Sequence, residues 1–277
     1  MSSFVPRSAL ADGTSIDVVG YGVYKVPPED TEDLCSTALD VGYRLLDTAA
    51  LYGNEAGVGA AARAYLETGD RQDLFVTSKV WNDDHGFDAA LRAFDATMDT
   101  IGLEYLDLYL IHWPCPSRGR YIETWRALER LLADGRVRSI GVSNFQQHHL
   151  ERLLAETDAA PVLNQIELHP YLQQRDLRAF HGQHGIATQA WSPLGRGNVL
   201  GDPVIVSIAA AIGRTPAQVI LRWHLQHGIL TIPKASSRER ISSNLDIFGF
   251  TLDDGHLTAI DGLDRDRRFG SHPDRVG

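Results

Sequence analysis

The sequence of 277 residues predicts one α/β domain, a (β/α)8 or TIM barrel with an N-terminal β-hairpin and an extra C-terminal helix. Two observations lead to this prediction. Eight short apolar runs, rich in Val, Ile, Leu and aromatic residues, alternate with longer amphipathic segments. No low-complexity tract, charge block or flexible linker divides the chain, so residues 1–277 are expected to form a single domain.

Residues 1–17 are predicted to form the hairpin, because Ala11-Asp12-Gly13 is a turn sequence between two short strand-like runs, Val5–Leu10 and Thr14–Asp17. The eight apolar runs that follow are the predicted barrel strands. They are Val18–Val23, Arg44–Ala49, Leu74–Val80, Leu106–His112, Ser139–Asn144, Leu163–Leu168, Ala187–Ser192 and Gly228–Lys234.

The segments between the strands are predicted helices, since apolar residues recur in them at helical spacing. Thr215-Pro216 reads as an N-cap followed by Pro at the first helical position, and residues 249–277 hold the last helix and a tail. The predicted helices are Thr31–Val41, Glu55–Glu67, Asp88–Ile101, Tyr121–Ala133, Gln146–Glu156, Arg175–His184, two helices within Pro203–Gln226 broken at Gly213, one from Ser236/Ser237 to about Phe248, and Asp253–Asp264.

A doubly wound sheet is the competing fold, and it usually carries a glycine-rich fingerprint after its first strand. Here Gly20-Tyr21-Gly22 continues as Val23-Tyr24-Lys25, so the third glycine is missing. The barrel is therefore favoured.

Composition and charge exclude several classes of function. The chain carries 26 basic and 36 acidic residues, and its net charge of -10 disfavours general binding to nucleic acid or to anionic membranes. No apolar stretch approaches the roughly 20 residues of a membrane span, and Cys35 and Cys115 cannot form a disulfide framework. We expect a cytoplasmic protein, and a monomer because no hydrophobic seam demands a partner.

Polar residues end seven of the eight predicted strands. In a barrel of this kind the chemistry lies at the C-terminal strand ends, whereas residues within the strands fill the core. One such residue alone is usually solvated or caps a turn, but seven at one rim predict a binding pocket. These residues are Asp47, Lys79, His112, Asn144, Gln165, Trp191 and Lys234.

Asp47, Tyr52, Lys79 and His112 are candidates for acid catalysis. A lysine beneath a tyrosine hydroxyl is expected to lower the pKa of that hydroxyl, and Asp47 would keep the ammonium charged. His112 would orient a substrate carbonyl oxygen toward Tyr52. Taken one at a time, these residues are better explained structurally, with Asp47 and Lys79 as an ordinary ion pair, Tyr52 as a rim aromatic residue and His112 as a core histidine. The four together favour catalysis.

A second group of residues suggests a bound cofactor. Asn144 and Gln165 suit a carboxamide, and Trp191 offers a face for a planar ring. The loop Ser192–Gly197 suits a pyrophosphate. The basic cluster between the last strand and the next helix suits a phosphate, although for this cluster a merely solvated loop is an equal alternative. That cluster is Lys234, Ser236, Ser237, Arg238 and Arg240. No metal site is predicted, since His148-His149 lacks a matching carboxylate or thiol motif.

Eight motifs extend along essentially the whole chain. They are GYGVYKVPPEDT (20–31), GYRLLDTAALYGNE (42–55), LFVTSKVWN (74–82), LDLYLIHWP (106–114), IGVSNF (140–145), NQIELHPY (164–171), WSPLGRGN (191–198) and TIPKASSRERI (231–241). In this order and at this spacing, they resemble the motifs of the aldo-keto reductase family. Within the family, the sequence looks most similar to bacterial 2,5-diketo-D-gluconic acid reductases, including the ending GSHPDRV (270–276).

The resemblance implies a barrel that binds NADPH in an extended conformation, with Asp47, Tyr52, Lys79 and His112 as the catalytic tetrad. Tyr52 would give the proton while hydride passes from nicotinamide C4 to the carbonyl carbon. The implied substrate residues are Tyr24, Trp81, His112 and Trp113, together with the C-terminal tail. The implied cofactor residues are Gly22, Val23, Ser143, Asn144, Gln165, Trp191, Ser192, Pro193, Leu194, Gly195, Lys234, Ser236, Arg240 and Asn244.

The expected function is NADPH-dependent reduction of an aldehyde or ketone, with a keto-sugar acid or a broad range of small carbonyls as substrate. NADH is expected to bind more weakly, although Ala235 and Ser243 depart from the family pattern at the adenosine end. Arg268 or Arg275 of the tail would pair with a substrate carboxylate. The alternatives are an NADPH-binding sensor or scaffold with slow turnover and a Schiff-base aldolase that uses Lys79.

Overall fold

The computed structural model describes residues 5–277, and its first element is the predicted hairpin. Strands β1 (Arg7–Ala9) and β2 (Ser15–Asp17) pair antiparallel with Ser8 opposite Ile16. The turn between them is bonded to a barrel strand, because Ser139 Oγ donates to Asp12 Oδ2 at 2.6 Å. The hairpin thereby covers the N-terminal end of the barrel.

The eight barrel strands run parallel and pair in chain order. The seam between the last strand and the first is closed by main-chain hydrogen bonds, from Thr231 N to Val18 O (3.0 Å) and from Gly20 N to Thr231 O (2.8 Å). The predicted (β/α)8 barrel is therefore confirmed. The strands are β3 (Tyr21–Gly22), β4 (Leu45–Asp47), β5 (Phe75–Val80), β6 (Leu106–Ile111), β7 (Val137–Ser143), β8 (Leu163–Glu167), β9 (Ala187–Trp191) and β10 (Leu230–Thr231).

The two strands at this seam are shorter than the predicted Val18–Val23 and Gly228–Lys234. Each retains regular pairing over two residues with its other neighbour, β3 with β4 and β10 with β9. The seam itself contains the isolated parallel bridge between Val19 and Thr231 and a further hydrogen bond from Gly22 N to Pro233 O (3.3 Å). The apolar pattern correctly marked the segments, but it carries no information on how far regular pairing extends across the seam.

Ten helices accompany the strands in the described residues, two more than a minimal barrel requires. Gly213, at φ 65°, ends the first of the two helices between β9 and β10, and Thr215 caps the second by accepting a hydrogen bond from Gln218 N. This is the predicted break. The helices are α1 (Pro28–Val41), α2 (Glu55–Leu66), α3 (Phe87–Ile101), α4 (Tyr121–Ala133), α5 (Gln147–Glu156), α6 (Arg175–Gln183), α7 (Pro203–Ile212), α8 (Pro216–Gln226), α9 (Arg238–Leu245) and α10 (Asp254–Asp261).

Two hydrophobic layers lie on either side of the strands. The smaller layer fills the barrel interior and includes Leu10 and Ile16 of the hairpin packed with Leu45, Leu108 and Leu163. The larger layer packs the strands against the helices. The hairpin therefore seals one end of the barrel with apolar side chains, which leaves the C-terminal strand ends for polar chemistry.

A membrane span is not evident among residues 5–277: no single helix is long and apolar enough, and only α7 with α8, bent by 93°, reaches that length and composition as a pair. Both cysteines, Cys35 and Cys115, are free and buried.

Gly59 on α2 makes the closest backbone approach to another helix, because a Cβ added there would overlap the carbonyl group of Ile101. We expect Gly59→Ala to lower the free energy of unfolding by about 1–3 kcal/mol, since backbone cannot move aside as a side-chain tip does. Gly182→Ala on α6 is the matched control, because nothing lies within 4 Å of the added carbon. Chemical denaturation should show an unchanged or higher stability for the control; equal losses in both variants would contradict the explanation.

Candidate active site

Asp47 and Lys79 form a buried ion pair at the mouth of the barrel. Lys79 Nζ lies 2.6 Å from Asp47 Oδ1 and donates a second hydrogen bond to Thr48 O at 2.8 Å. The other carboxylate oxygen accepts from Gln165 Nε2 at 2.7 Å. Burial lowers the pKa of Lys79, and the charge of Asp47 opposes this shift. The charged state of the lysine therefore depends on its partner.

Tyr52 lies in the short helical turn Ala50–Tyr52 that follows β4, with its ring centroid 5.3 Å from Lys79 Nζ. The expectation that Lys79 lowers the pKa of this tyrosine is not met. Burial raises the pKa of Tyr52 well above 10, and the nearby Asp47 and Tyr24 raise it further. The main physical reason is burial, which disfavours the charged phenolate; in addition, Asp47 neutralises the lysine, so the phenol experiences an ion pair rather than an isolated positive charge. Tyr52 is thus a protonated phenol.

His112 follows β6, and its ring contacts the edges of two aromatic rings that line the cleft. The centroid distances are 5.6 Å to Tyr52 and 5.2 Å to Trp81. Burial, and then the charge of Lys79, hold the pKa of His112 well below 6.5, so the imidazole is neutral at physiological pH. A neutral ring carries one N–H donor and can therefore present it to a substrate oxygen.

These side chains lie in a cleft that continues into a second cavity. The first cavity contains the catalytic candidates Asp47, Tyr52 and His112, and the second extends toward α9. Because the two cavities share lining residues, they form one groove along the barrel mouth. The shared residues are Tyr24, Ser192, Pro193, Arg196 and Lys234.

One end of the groove is lined by side-chain amides and an indole. Asn144 is held in a left-handed conformation (φ 65°), and its Oδ1 accepts from Trp191 Nε1 at 2.8 Å. Its amide nitrogen donates to His112 O and to Ser143 Oγ. Both amide hydrogens of Asn144 are thus used, whereas the second lone pair of Oδ1 and the oxygen of Gln165 remain to accept hydrogen bonds from a carboxamide.

The other end of the groove is basic and polar. Lys234 and Arg240 line it together with Ser243 and Asn244, next to the N-terminus of α9. Lys25, which had no predicted role, also lines this end and has a left-handed backbone (φ 61°). A helix N-terminus beside three cationic side chains is well suited to a phosphate group. Glu239 lies there too and partly offsets the positive charge.

Three of the predicted cofactor residues do not line either cavity. Val23 is fully buried in the layer between strands and helices, Gly195 is buried against Phe269, and Ser236 is exposed outside the groove. Lys79 is also absent from the lining, since it lies beneath Tyr52. Ser237 and Arg238 of the predicted phosphate cluster also lie outside both cavities. The other predicted cofactor and substrate residues, including Trp81 and Trp113, line at least one of the two cavities.

Several lining residues were missed by sequence analysis. Neither predicted tail arginine lines the cleft, and Arg268 instead donates to Gln174 Oε1. The tail was expected at the substrate pocket, and its residues that line the cleft are Ser271 and Val276, both in the ending GSHPDRV (270–276). Neither side chain carries a charge that would have singled it out. The other missed residues of the first cavity are Leu51 and Ile232, whereas Arg196 belongs to the predicted loop Ser192–Gly197.

A histidine pair on α5 has a carboxylate neighbour that the sequence did not suggest. Asp274 Oδ1 lies 3.4 Å from His148 Nε2 and 3.5 Å from His149 Nε2. Gln146 N donates to His149 Nδ1, so the proton of the neutral ring lies on Nε2 and faces Asp274. That tautomer suits a hydrogen bond from His149 to Asp274 better than it suits ligation of a metal ion through Nε2. The absence of a metal centre stays a prediction.

A barrel that carries this tetrad and a groove of this composition has the architecture of a nucleotide-dependent carbonyl reductase. The model of the aldo/keto reductase family matches residues 18–265. The chain therefore belongs to the aldo/keto reductase family. An aldo-keto reductase of Mycolicibacterium smegmatis is 51% identical over 269 residues, which is 97% of each chain. The glyoxal reductase of Bacillus subtilis is 47% identical over 270 residues, which is 96% of each chain.

A variant of the protein Gox0644 in complex with NADPH has a TM-score of 0.93 to this structure, with 48% identity and 98% of each chain covered. The groove fits that cofactor, because amide acceptors and Trp191 lie at one end and cations with a helix N-terminus at the other. Family and neighbour together make this chain an NADP-dependent oxidoreductase that reduces carbonyl groups.

Loss of one partner of the buried ion pair should be costly. Lys79→Met leaves the carboxylate of Asp47 buried without its counter-charge, so we expect a loss of about 3–5 kcal/mol in the free energy of unfolding. In the double variant D47N/K79M no charge remains, and part of the loss should be regained. Arg130→Ala, which removes an exposed ion pair with Asp134, is the control and should leave the denaturation midpoint unchanged. A double variant no more stable than Lys79→Met would contradict this account.

Proposed function

We propose that Tyr52 is the proton donor and His112 the orienting residue in the reduction of small, uncharged aldehydes and α-dicarbonyls by NADPH. The observation that carries this proposal is the placement of a protonated phenol and a neutral imidazole 5.6 Å apart, by ring centroids, in the cleft that Trp191 and the amides also line. When bound, NADPH supplies the hydride.

The residues of the chain bind the carbonyl group and deliver the proton. The neutral imidazole of His112 donates its N–H to the carbonyl oxygen, and Tyr52 donates its hydroxyl to the same oxygen. As hydride arrives at carbon, that oxygen becomes an alkoxide, which is a far stronger base than a phenolate, so the proton moves from Tyr52. A proton from water then returns to the phenolate, beneath which Lys79 and Asp47 form their ion pair.

The substrate class rests on the cleft walls. Tyr24, Trp81 and Trp113 make the wall next to His112 aromatic, and Leu51 adds an aliphatic side chain. The similar protein of Bacillus subtilis is named a glyoxal reductase, which agrees with a small α-dicarbonyl substrate. A keto-sugar acid is the second candidate; its carboxylate would require Arg196 or Lys234, which lie at the junction with the cofactor end.

Two other functions have less support. A Schiff-base aldolase needs a neutral, accessible lysine, whereas Lys79 is fully buried and donates to Asp47 and Thr48. A slow NADPH-binding sensor would not require the complete tetrad. Oxidation of NADPH by glyoxal or methylglyoxal, measured by loss of cofactor absorbance, separates a reductase from a sensor. A monomer in the cytoplasm remains our expectation for the state of the protein.

Replacement of the proton donor should remove turnover but not cofactor binding. We expect Tyr52→Phe to lower kcat by about 10²–10⁴-fold, because only the hydroxyl is lost. The dissociation constant of NADPH, from fluorescence titration, should remain within about twofold. Tyr105→Phe, which removes a hydroxyl far from the cleft at the start of β6, is the control for general effects. Retention of wild-type kcat in Tyr52→Phe would show that another group donates the proton.

Cofactor preference should depend on the basic end of the groove. Arg240→Ala or Lys234→Ala is expected to raise the KM for NADPH about tenfold, since a charge-assisted contact to the 2′-phosphate is lost. The KM for NADH should change little. Arg238→Ala removes the same charge from the same helix, but Arg238 faces Asp40 (3.6 Å) outside the groove, so it is the matched control. Parallel increases for both cofactors would contradict the 2′-phosphate assignment.

A further inference from the structure

Glu167, the last residue of β8, ties the C-terminal tail to the barrel. Its side chain is fully buried, and its two oxygens accept hydrogen bonds from the backbone of the tail: Oε1 from Phe269 N at 2.6 Å and Oε2 from Gly270 N at 3.0 Å. His169 Nε2 lies 3.2 Å from Oε1. The carboxylate thus connects a barrel strand to a segment about 100 residues later in the chain.

The glutamate is ionised in spite of its burial. Burial opposes the charge, but the hydrogen bonds from His169 and from the backbone of Phe269 and Gly270 prevail and lower the pKa of Glu167. A buried carboxylate of this kind holds the backbone N–H groups of Phe269 and Gly270 in place, because any other position of the tail would leave the charge without hydrogen-bond partners.

Gly270 lies directly against the ring of Trp191. A Cβ at Gly270 would come 2.5 Å from Cη2 of Trp191 and 3.0 Å from Oε2 of Glu167. The opposite edge of the same indole is fixed by the hydrogen bond from Nε1 to Asn144 Oδ1. Trp191 is therefore held between the amide that would contact the nicotinamide and a glycine that Glu167 keeps in place.

The next tail residue extends this connection to the substrate. Ser271 lines the first cavity directly after the segment that Glu167 binds, and Val276 lines it after Asp274, which faces His148 and His149. The tail is thus attached on both sides of the stretch that forms part of the cleft wall. The attachment at Glu167 lies nearer to Trp191.

From this geometry we infer that Glu167 is a positioning residue for both ligands of the reductase: through Gly270 it holds Trp191 as the stacking face for the cofactor, and through Ser271 it sets one wall of the substrate cleft. The inference rests on the proposed function, since it assigns Trp191 to the nicotinamide end of the groove. Glu167 itself does not touch the reacting atoms.

The test is a double-mutant cycle between Glu167 and Trp191 in the full-length protein, read as the dissociation constant of NADPH. We expect Glu167→Gln to weaken NADPH binding about tenfold, because the amide cannot accept both backbone hydrogen bonds. In a Trp191→Phe background the same change should cost less than about twofold, since its target is gone. Glu151→Gln, an exposed glutamate on α5, is the matched control and should leave binding unchanged.

Gly270→Ala provides a second route that leaves Glu167 intact. The added methyl group displaces the ring of Trp191, so we expect a similar loss of NADPH affinity, together with a changed ratio of kcat/KM between glyoxal and a bulkier aldehyde. This variant decides the matter if Glu167→Gln does not fold. Unchanged NADPH affinity in the folded variants, or equal losses with and without Trp191, would overturn the inference. Failure of the wild-type protein to reduce any carbonyl would instead overturn the proposed function and leave these binding measurements interpretable.

Discussion

The buried ion pair of Asp47 and Lys79 is the interaction on which the arrangement of the site depends. Two buried opposite charges are stable only if they pair with each other and their remaining hydrogen-bonding groups also have partners. Thr48 O, directly after β4, and Gln165 Nε2, on β8, are these partners. Asp47 and Lys79 lie on the adjacent strands β4 and β5, but Gln165 reaches Asp47 from the other side of the barrel, so the pair has its full set of partners only in the closed barrel. The pair in turn fixes the floor beneath Tyr52.

The fold separates this polar site from the hydrophobic interior of the barrel. Leu10 and Ile16 of the hairpin complete the apolar interior at one end, so the polar groups of the strand ends are confined to the other. The three lysines of the chain all lie at this polar end, although arginine supplies the other 23 of its 26 basic side chains. Lys79 lies beneath the catalytic cleft, and Lys25 and Lys234 line the groove. A compact ammonium fits beneath a phenol, where a planar guanidinium would not.

Sequence patterns predicted the parts of the structure that repeat. The alternation of strands and helices, the break at Gly213 and the convergence of polar strand ends all follow from local periodicity and from the geometry of parallel strands. The resemblance placed the tail at the substrate pocket, but the patterns did not predict which of its residues line the cleft, because Ser271, Val276 and the backbone that Glu167 binds are marked by neither charge nor periodicity. They also gave the wrong direction for the pKa of Tyr52, since that shift depends on burial and on the neutralisation of Lys79 by Asp47.

That correction changes how Tyr52 would act as the proposed proton donor. A phenol above an ion pair does not need a lowered pKa, because its acceptor would be an oxygen that becomes strongly basic only while hydride is being transferred. His112 is neutral and Tyr52 protonated in the free protein, so neither residue has to change its charge for a substrate to bind. Lys79 Nζ lies 5.3 Å from the centroid of the Tyr52 ring, but Asp47 offsets its charge for the phenol and for a phenolate alike. The driving force for proton transfer would therefore come from the basicity of the alkoxide rather than from an acidic phenol.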